Sequence, residues 1–259
     1  MYKKELEHSI KAARIAGELI MSYYKKDFAI ETKSDNSPVT EADEAADLAI
    51  REYLAPKFPT YSFLTEEGVD DLDRLKNSHV FIVDPIDGTR HFINRDGEFT
   101  VNIALSVNGE VKVGVIYVPV TEELYYAVKG GGAYRLTSDN IAHKIQVNDK
   151  TENLTISCSI HHQHVTEIAF IERNKDIISN TVSLGSTLKA IKIAEGEIEM
   201  FYRGSRGTKE WDVAASDIIV TEAGGLFINH DGTKIIYNKQ DVNNYNGYLI
   251  VNRKENIRQ

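Results

Sequence analysis

Cysteine is nearly absent: Cys158 is the only one in 259 residues. It cannot close an internal disulfide, which agrees with a reducing compartment. Long apolar runs are missing too, since no stretch approaches the roughly 18 consecutive residues of a membrane-spanning helix. The opening Met1-Tyr2-Lys3-Lys4-Glu5-Leu6-Glu7 lacks the apolar core of a signal peptide, so an intracellular location is expected. Positive charge is in deficit, with 30 Lys and Arg against 39 Asp and Glu and a net charge of −9. That argues against nucleic-acid polymers, whose phosphate backbones are gripped by basic patches. A small phosphorylated ligand remains compatible, because bound cations invert the local field. No repeat and no low-complexity segment occurs.

What is present is an ordinary globular composition, 42% hydrophobic and 27% charged. The length suits one large α/β domain or two packed lobes. Leu6, Ile10, Ala13, Ile20 and Tyr23 recur at helical spacing, so residues 3 to about 25 read as an amphipathic helix. After the turn-rich Ser34-Asp35-Asn36-Ser37-Pro38, Thr40 caps a second helix with Asp43 in the capping-box position. That helix ends before Pro56 or Pro59. Strand signals follow at 61–64, 80–83, 100–107, 111–118 and 124–128, with Asn108-Gly109 as a hairpin turn. The polar stretch 136–150 marks a lobe boundary, giving an N-terminal lobe 1–145 and a C-terminal lobe 146–259. In the second lobe, 154–157, 198–202 and the regions near Leu226 and Leu249 read as strands. Residues 187–194 and 213–223 read as helices, the last stopped by Gly224-Gly225.

Three acidic groups stand where strands or loops turn: Glu66-Glu67, Asp84 with Asp87, and Asp212. The apolar run Val80-Phe81-Ile82-Val83 stops at Asp84-Pro85-Ile86-Asp87-Gly88-Thr89. Proline stiffens that turn, two aspartates three apart can face one way, and the Ile86 carbonyl is a third oxygen. Gly88 permits close backbone approach and Thr89 stands at a possible helix start, a natural phosphate position. Oxygen ligands without clustered Cys or His suit Mg²⁺ rather than Zn²⁺. Alone, such a segment is more often a solvated turn; ending a buried apolar strand and accompanied by Glu66 and Asp212, it reads as a cation site. Carboxylates that converge repel one another unless cations neutralise them, although spacing alone does not show that they converge.

Three segments, Leu64-Thr65-Glu66-Glu67-Gly68, Asp84 to Thr89, and Trp211-Asp212-Val213-Ala214-Ala215 through Glu222-Ala223-Gly224-Gly225, resemble the signatures of the inositol monophosphatase-like phosphatases. Lys33 to Asp43, Asp96 to Leu105 and Leu184 to Lys189 are similar to the CysQ branch, the 3′(2′),5′-bisphosphate nucleotidases. The resemblance implies an αβαβα sandwich of the inositol monophosphatase and fructose-1,6-bisphosphatase type. It implies two or three Mg²⁺ ions held by Glu66, Asp84, the Ile86 main-chain oxygen, Asp87 and Asp212. Asp43 and Thr89, with Glu66, match the groups that activate the attacking water. Substrate contacts are expected from Asp87, Gly88, Thr89, Ser186, Lys189, Lys209 and Asp212.

The implied reaction converts adenosine 3′,5′-bisphosphate to AMP and phosphate, clearing a by-product of sulfate assimilation. The alternatives are an inositol or broad sugar-phosphate phosphatase, and a silent sensor of metal and nucleotide. The expected state is a monomer or homodimer, cytoplasmic or peripheral at the inner membrane, without integral membrane association. Lys209 divides evenly between the phosphate edge and plain surface, and Trp211 reads as packing that fixes Asp212. His91, His161, His162 and His164 read as surface residues. Ser157-Cys158-Ser159-Ile160-His161 departs from the branch's Ser-Arg-Ser-His run, losing the arginine and moving the histidine by one.

Overall fold

The computed structural model describes residues 1–26, 30–32, 38–159, 165–204 and 207–258. Within these, the chain opens with helix α1 (Lys3–Tyr24), a ribbon of β1 (Ile30–Thr32) and β2 (Pro38–Thr40), and helix α2 (Glu41–Leu54). A seven-stranded sheet follows: β3 (Ser62–Thr65), β4 (His79–Asp87), β5 (Thr100–Val107), β6 (Glu110–Val118), β7 (Glu123–Val128), β8 (Gly132–Leu136) and β9 (Ala142–Ile145), in that spatial order. The short helix α3 (Thr89–Asn94) sits between β4 and β5. The remainder supplies β10 (Leu154–Ser159), α4 (Val165–Arg173), β11 (Ile178–Leu184), α5 (Leu188–Ala194), β12 (Met200–Arg203), α6 (Glu210–Glu222), β13 (Leu226–Asn229) and β14 (Tyr248–Val251). These last five strands form a second sheet ordered β11-β10-β12-β14-β13.

Five layers result. Helices α1 and α2 cover one face of the large sheet; α6 covers its other face and also packs on β13, while α5 packs on α6 and on β12 and β14 of the small sheet. Helix α4 packs on β12 outside the small sheet. Each interface has its own apolar core. Ala12, Ala16, Ile50, Phe81 and Val113 join α1 and α2 to the large sheet; Ile116, Ile191, Ala214, Ile218 and Ile250 fill the middle; Phe170, Met200 and Leu249 close the last layer. This is the αβαβα sandwich that the resemblance implied.

Close packing in the middle layer depends on β6. A side chain at Gly114 would collide with Ile218 and the Ala215 backbone of α6. Helix α6 is therefore drawn onto the sheet, and its N-terminus is carried to the end of β4. The Glu-Ala-Gly-Gly end of that helix acts in the same layer. Glu222 accepts N–H bonds from Gly130 and Gly132 at 2.9 and 3.0 Å, plugging the β7–β8 turn. Glu222 is thereby a structural acid.

The expected strands at 100–107 and 124–128 occur within a residue of their predicted limits. Strands β8, β9 and β11 and helix α4 were not foreseen. In β11, Asn180, Thr181 and Ser183 interrupt the apolar pattern because it is an edge strand with a mostly exposed run.

Candidate metal centre

Strand β4 is buried from Val80 through Ile86, and its pairing with β5 is regular to Asp84↔Asn102. The next pair is Asp87↔Thr100, so three steps on β4 match two on β5. This bulge follows from Pro85, which has no N–H to give to a ladder. It lifts Asp84 and Asp87 out of strict alternation. Gly88 then adopts φ +95°, a left-handed conformation that costs a glycine little, and α3 starts at Thr89. A side chain at Gly88 would also press on the Glu98 carbonyl at 3.1 Å.

Glu66 follows β3, parallel to β4, and its N–H donates to the Val83 carbonyl at 3.1 Å. Asp212 stands in the first turn of α6, where its Oδ2 accepts the Lys209 N–H at 2.6 Å. Glu66, Asp84 and Asp212 thus come from three elements, yet each offers an oxygen within 4.8 Å of the others. Two charges at that spacing repel by about 3–4 kcal/mol at an effective dielectric constant near 20, more than a typical net hydrogen bond returns. Asp84 is 1% exposed and its Oδ1 has no hydrogen-bond partner among the described residues. Burial first, then the charges of Glu66, Asp87, Asp212 and Glu67, hold its carboxyl well above the usual range. Asp212 is raised in the same direction by burial, Glu66 and Asp87. An orphaned buried oxygen amid mutually raised carboxyls fits a hard divalent cation.

Asp87 takes another position. Its Oδ2 accepts the Ser186 hydroxyl at 2.6 Å and the Thr187 N–H at 2.7 Å, both from the turn before α5. Behind the cluster, Asp43 in the first turn of α2 accepts the Thr40 N–H and hydroxyl at 2.8 and 2.6 Å. The Thr89 hydroxyl reaches Asp43 Oδ1 at 3.2 Å and the Ile86 carbonyl at 3.3 Å. Burial pushes the Asp43 carboxyl up to about 6 against the pull of these hydrogen bonds.

A cavity of about 280 Å³ holds this set together; it is lined by Glu66, Asp84 and Ile86 through Thr89 on one side and by Ser186, Lys189 and Asp212 on the other. Lys189 donates to the Ser186 and Leu184 carbonyls at 2.6 and 3.1 Å. Burial lowers its ammonium to about 8, while Asp87 acts in the opposite sense. Lys209 contributes through its backbone instead, its ammonium lying 5.2 Å from the Trp211 ring centroid. Trp211 is 8% exposed and packs in the middle core.

His91 corrects the surface reading. It is 6% exposed, paired to Asp96 at 2.8 Å, and lines the cavity beside Gly185. His161, His162, His164 and the turn 33–37 lie outside the described residues. Arg203 was missed altogether. It ends β12, is 7% exposed, meets Glu167 at 3.4 Å and lines the cavity. The strand expected at 198–202 stopped one residue short of it.

The chain matches the inositol monophosphatase family over residues 1–257. It is 35% identical over 240 residues to 3′(2′),5′-bisphosphate nucleotidase CysQ of Salmonella typhimurium, covering 91% of this chain and 95% of that protein. It is 31% identical over 238 residues to inositol monophosphatase of Dictyostelium discoideum, covering 88% and 86%. The crystal structure of CysQ from Bacteroides thetaiotaomicron superimposes with a TM-score of 0.85 at 33% identity, covering 98% of this chain and 99% of that one. The converging carboxylates, the five-layer fold and these likenesses lead to one conclusion: the chain belongs to the inositol monophosphatase family and is a phosphatase.

Proposed function

We propose that the protein is a Mg²⁺-dependent phosphomonoesterase that removes the 3′-phosphate of adenosine 3′,5′-bisphosphate, yielding AMP and phosphate. The observation that carries the metal half is the orphaned Asp84 Oδ1 within 4.8 Å reach of Glu66 and Asp212 oxygens. Glu66, Asp84, Asp87, Asp212 and the Ile86 carbonyl would hold the cations. Bound there, Mg²⁺ supplies positive charge that makes a water more acidic and offsets charge on the phosphate oxygens.

The protein's own groups orient the attack. The Thr89 hydroxyl donates to Asp43, which leaves its oxygen lone pairs free to accept a proton from a water. As that proton arrives, the hydroxyl proton moves to Asp43. A carboxyl held at about 6 is mostly ionised at neutral pH yet still basic enough to accept it. Gly88 and Thr89, at the start of α3, offer backbone donors to the phosphate.

The substrate half rests on the likeness to proteins named as bisphosphate nucleotidases and on basic side chains in the same cavity. Lys189 and Arg203 line the same space as the acids. A substrate with a second phosphate adds a charged partner to Lys189, which donates to carbonyls, and to Arg203 beside Glu167; an inositol monophosphate has no second phosphate to offer. The relative named as an inositol monophosphatase supports the competing substrate. Phosphate release with Mg²⁺ from adenosine 3′,5′-bisphosphate, inositol 1-phosphate and fructose 1,6-bisphosphate separates them. We expect kcat/KM to be highest for the nucleotide; a clear preference for inositol 1-phosphate refutes the substrate reading and leaves the metal reading intact.

A further inference from the structure

The segments Asp96 to Leu105 and Leu184 to Lys189 meet where the Gly185 N–H donates to the Glu98 carboxylate and again around Thr100. Thr100, fully buried, has its hydroxyl 3.0 Å from Asn102 Oδ1, 2.9 Å from the Ser186 hydroxyl and 2.8 Å from the Thr187 hydroxyl. Thr187 also lies 3.3 Å from Asn102 Oδ1, and Ser186 is 2.6 Å from Asp87 Oδ2.

Counting protons decides how this group is organised. The contacts are Asn102–Thr100, Asn102–Thr187, Thr100–Ser186, Thr100–Thr187 and Ser186–Asp87, five in all. Each hydroxyl has one proton, and carbonyl and carboxylate oxygens have none, so three protons serve five oxygen–oxygen contacts. Two contacts would be left with facing lone pairs. Meanwhile the Asn102 Nδ2, with two protons, has no partner among the described residues and is buried. The two ends of an amide are nearly isosteric, and hydrogen-bond bookkeeping assigns them. Turning the amide about its axis puts Nδ2 against Thr100 and Thr187. Five protons then serve five contacts. Asn102 donates to both threonines, Thr187 to Thr100, Thr100 to Ser186, and Ser186 to Asp87.

We propose that Asn102, Thr187 and Thr100 are positioning residues forming a directed chain of hydrogen bonds that ends on Asp87 Oδ2 and sets the cation affinity of the site. Every bond in it points toward the carboxylate, so the donors reinforce one another. Together with the Thr187 N–H they fix one Asp87 oxygen and reserve the other for a cation. The chain crosses from β5 of the large sheet to the turn preceding α5, so the Asp87 geometry depends on both parts of the fold. This inference rests on the metal reading proposed above.

The test compares wild type with Thr100→Val, Thr100→Ser and Asn102→Asp. The readouts are the Mg²⁺-induced rise in melting temperature and the Mg²⁺ concentration giving half-maximal phosphate release. Valine keeps the shape and cuts the chain, whereas serine keeps the hydroxyl. Aspartate keeps the shape of Asn102 but offers only acceptors, which draws hydroxyl protons away from Asp87. Removing such outer partners typically costs about 10- to 100-fold in metal affinity. We expect half-saturation to rise at least about tenfold in Thr100→Val and Asn102→Asp, the Mg²⁺-induced rise to shrink in both, and Thr100→Ser to recover most of the response. A wild-type response in Thr100→Val, or Thr100→Ser failing as badly as Thr100→Val, overturns the chain. Unchanged or tighter Mg²⁺ binding in Asn102→Asp overturns its direction. Wild-type protein whose melting temperature ignores Mg²⁺ overturns the metal reading and this one with it, which separates that failure from the others.

Discussion

Two buried acidic regions of this protein follow opposite rules. Glu210, fully buried, has each carboxylate oxygen answered by a backbone N–H, from Asn238 at 2.6 Å and Lys239 at 2.9 Å. Glu199, also fully buried, receives Thr155 N–H and Asn148 Nδ2, each at 2.6 Å. Asp84, equally inaccessible, keeps one oxygen orphaned and faces four acidic neighbours, Glu66, Asp87, Asp212 and Glu67. The first two acids are satisfied by the fold itself. Around Asp84 satisfaction is withheld, and the energy of that conflict is available to a cation. The contrast separates acids that hold the structure from acids that the structure must hold in place.

The sharpest way to break this comparison is Asp84→Asn. Turnover should fall by more than about a hundredfold, since a direct ligand matters at least as much as an outer-shell partner. The same change removes a buried, repelled charge, so the metal-free protein should melt a few degrees higher. Phosphate release and melting in chelator measure the two effects. Near-normal activity sinks the site assignment; a lower metal-free melting temperature sinks the claim of stored repulsion.

Glu210→Ala should do the reverse. It strips the partners from two N–H groups, for a loss of roughly 2–4 kcal/mol on urea unfolding, with or without Mg²⁺. The Asn238 turn also receives Arg74 Nη1 at 2.7 Å, which is 2% exposed and paired to Asp70 at 2.7 Å, so the damage should spread there. A loss that appears only in the presence of Mg²⁺ would place Glu210 in the metal site instead.

A smaller effect is expected from pH. Asp84 and Asp212 have carboxyls raised above 3.8, so the folded state binds their protons more tightly than the unfolded chain does. Their contribution is therefore greatest at acid pH and is lost as pH rises through the folded values. Metal-free protein should lose melting temperature as pH rises above about 3.9, the unfolded carboxyl value, and through the raised folded values, and saturating Mg²⁺ should flatten that slope. A slope indifferent to Mg²⁺ would assign the pH dependence to other acids.

How much of this was legible in the sequence follows from the range of each interaction. The run Val80 to Val83 and the turn Asp84-Pro85-Ile86-Asp87 are local, and periodicity with proline chemistry revealed both. The capping relation of Thr40 and Asp43 is equally local. The convergence of Glu66, Asp84 and Asp212 is not: it depends on parallel pairing of β3 with β4 and on α6 seating over Gly114. Only family resemblance brought those residues together beforehand. The burial of His91 and the approach of Ser186 to Asp87, across 99 residues of chain, carry no spacing signal at all. Arg203 was invisible for a related reason, because an arginine ending a strand looks solvated until the cavity beside it is known.

The finest test lies between the two regions. Asp217 on α6 is pushed up to about 7 by burial, against the pull of the Tyr237 hydrogen bond at 2.8 Å and of Lys129 and Lys234. It does not line the cavity of Asp84 and Asp212. It is therefore a half-satisfied acid with no cation to wait for. Above about pH 7 the ionised carboxylate depends on the Tyr237 hydroxyl, so Tyr237→Phe should cost roughly 1.5–3 kcal/mol at about pH 8. Near pH 5 the carboxyl is neutral in the folded state, and the same substitution should cost only about 0.5–1.5 kcal/mol. Urea unfolding at the two pH values reads the difference, which Mg²⁺ should not alter. An equal cost at both would mean that Asp217 does not titrate in this window, and that the fold has satisfied it as fully as Glu210.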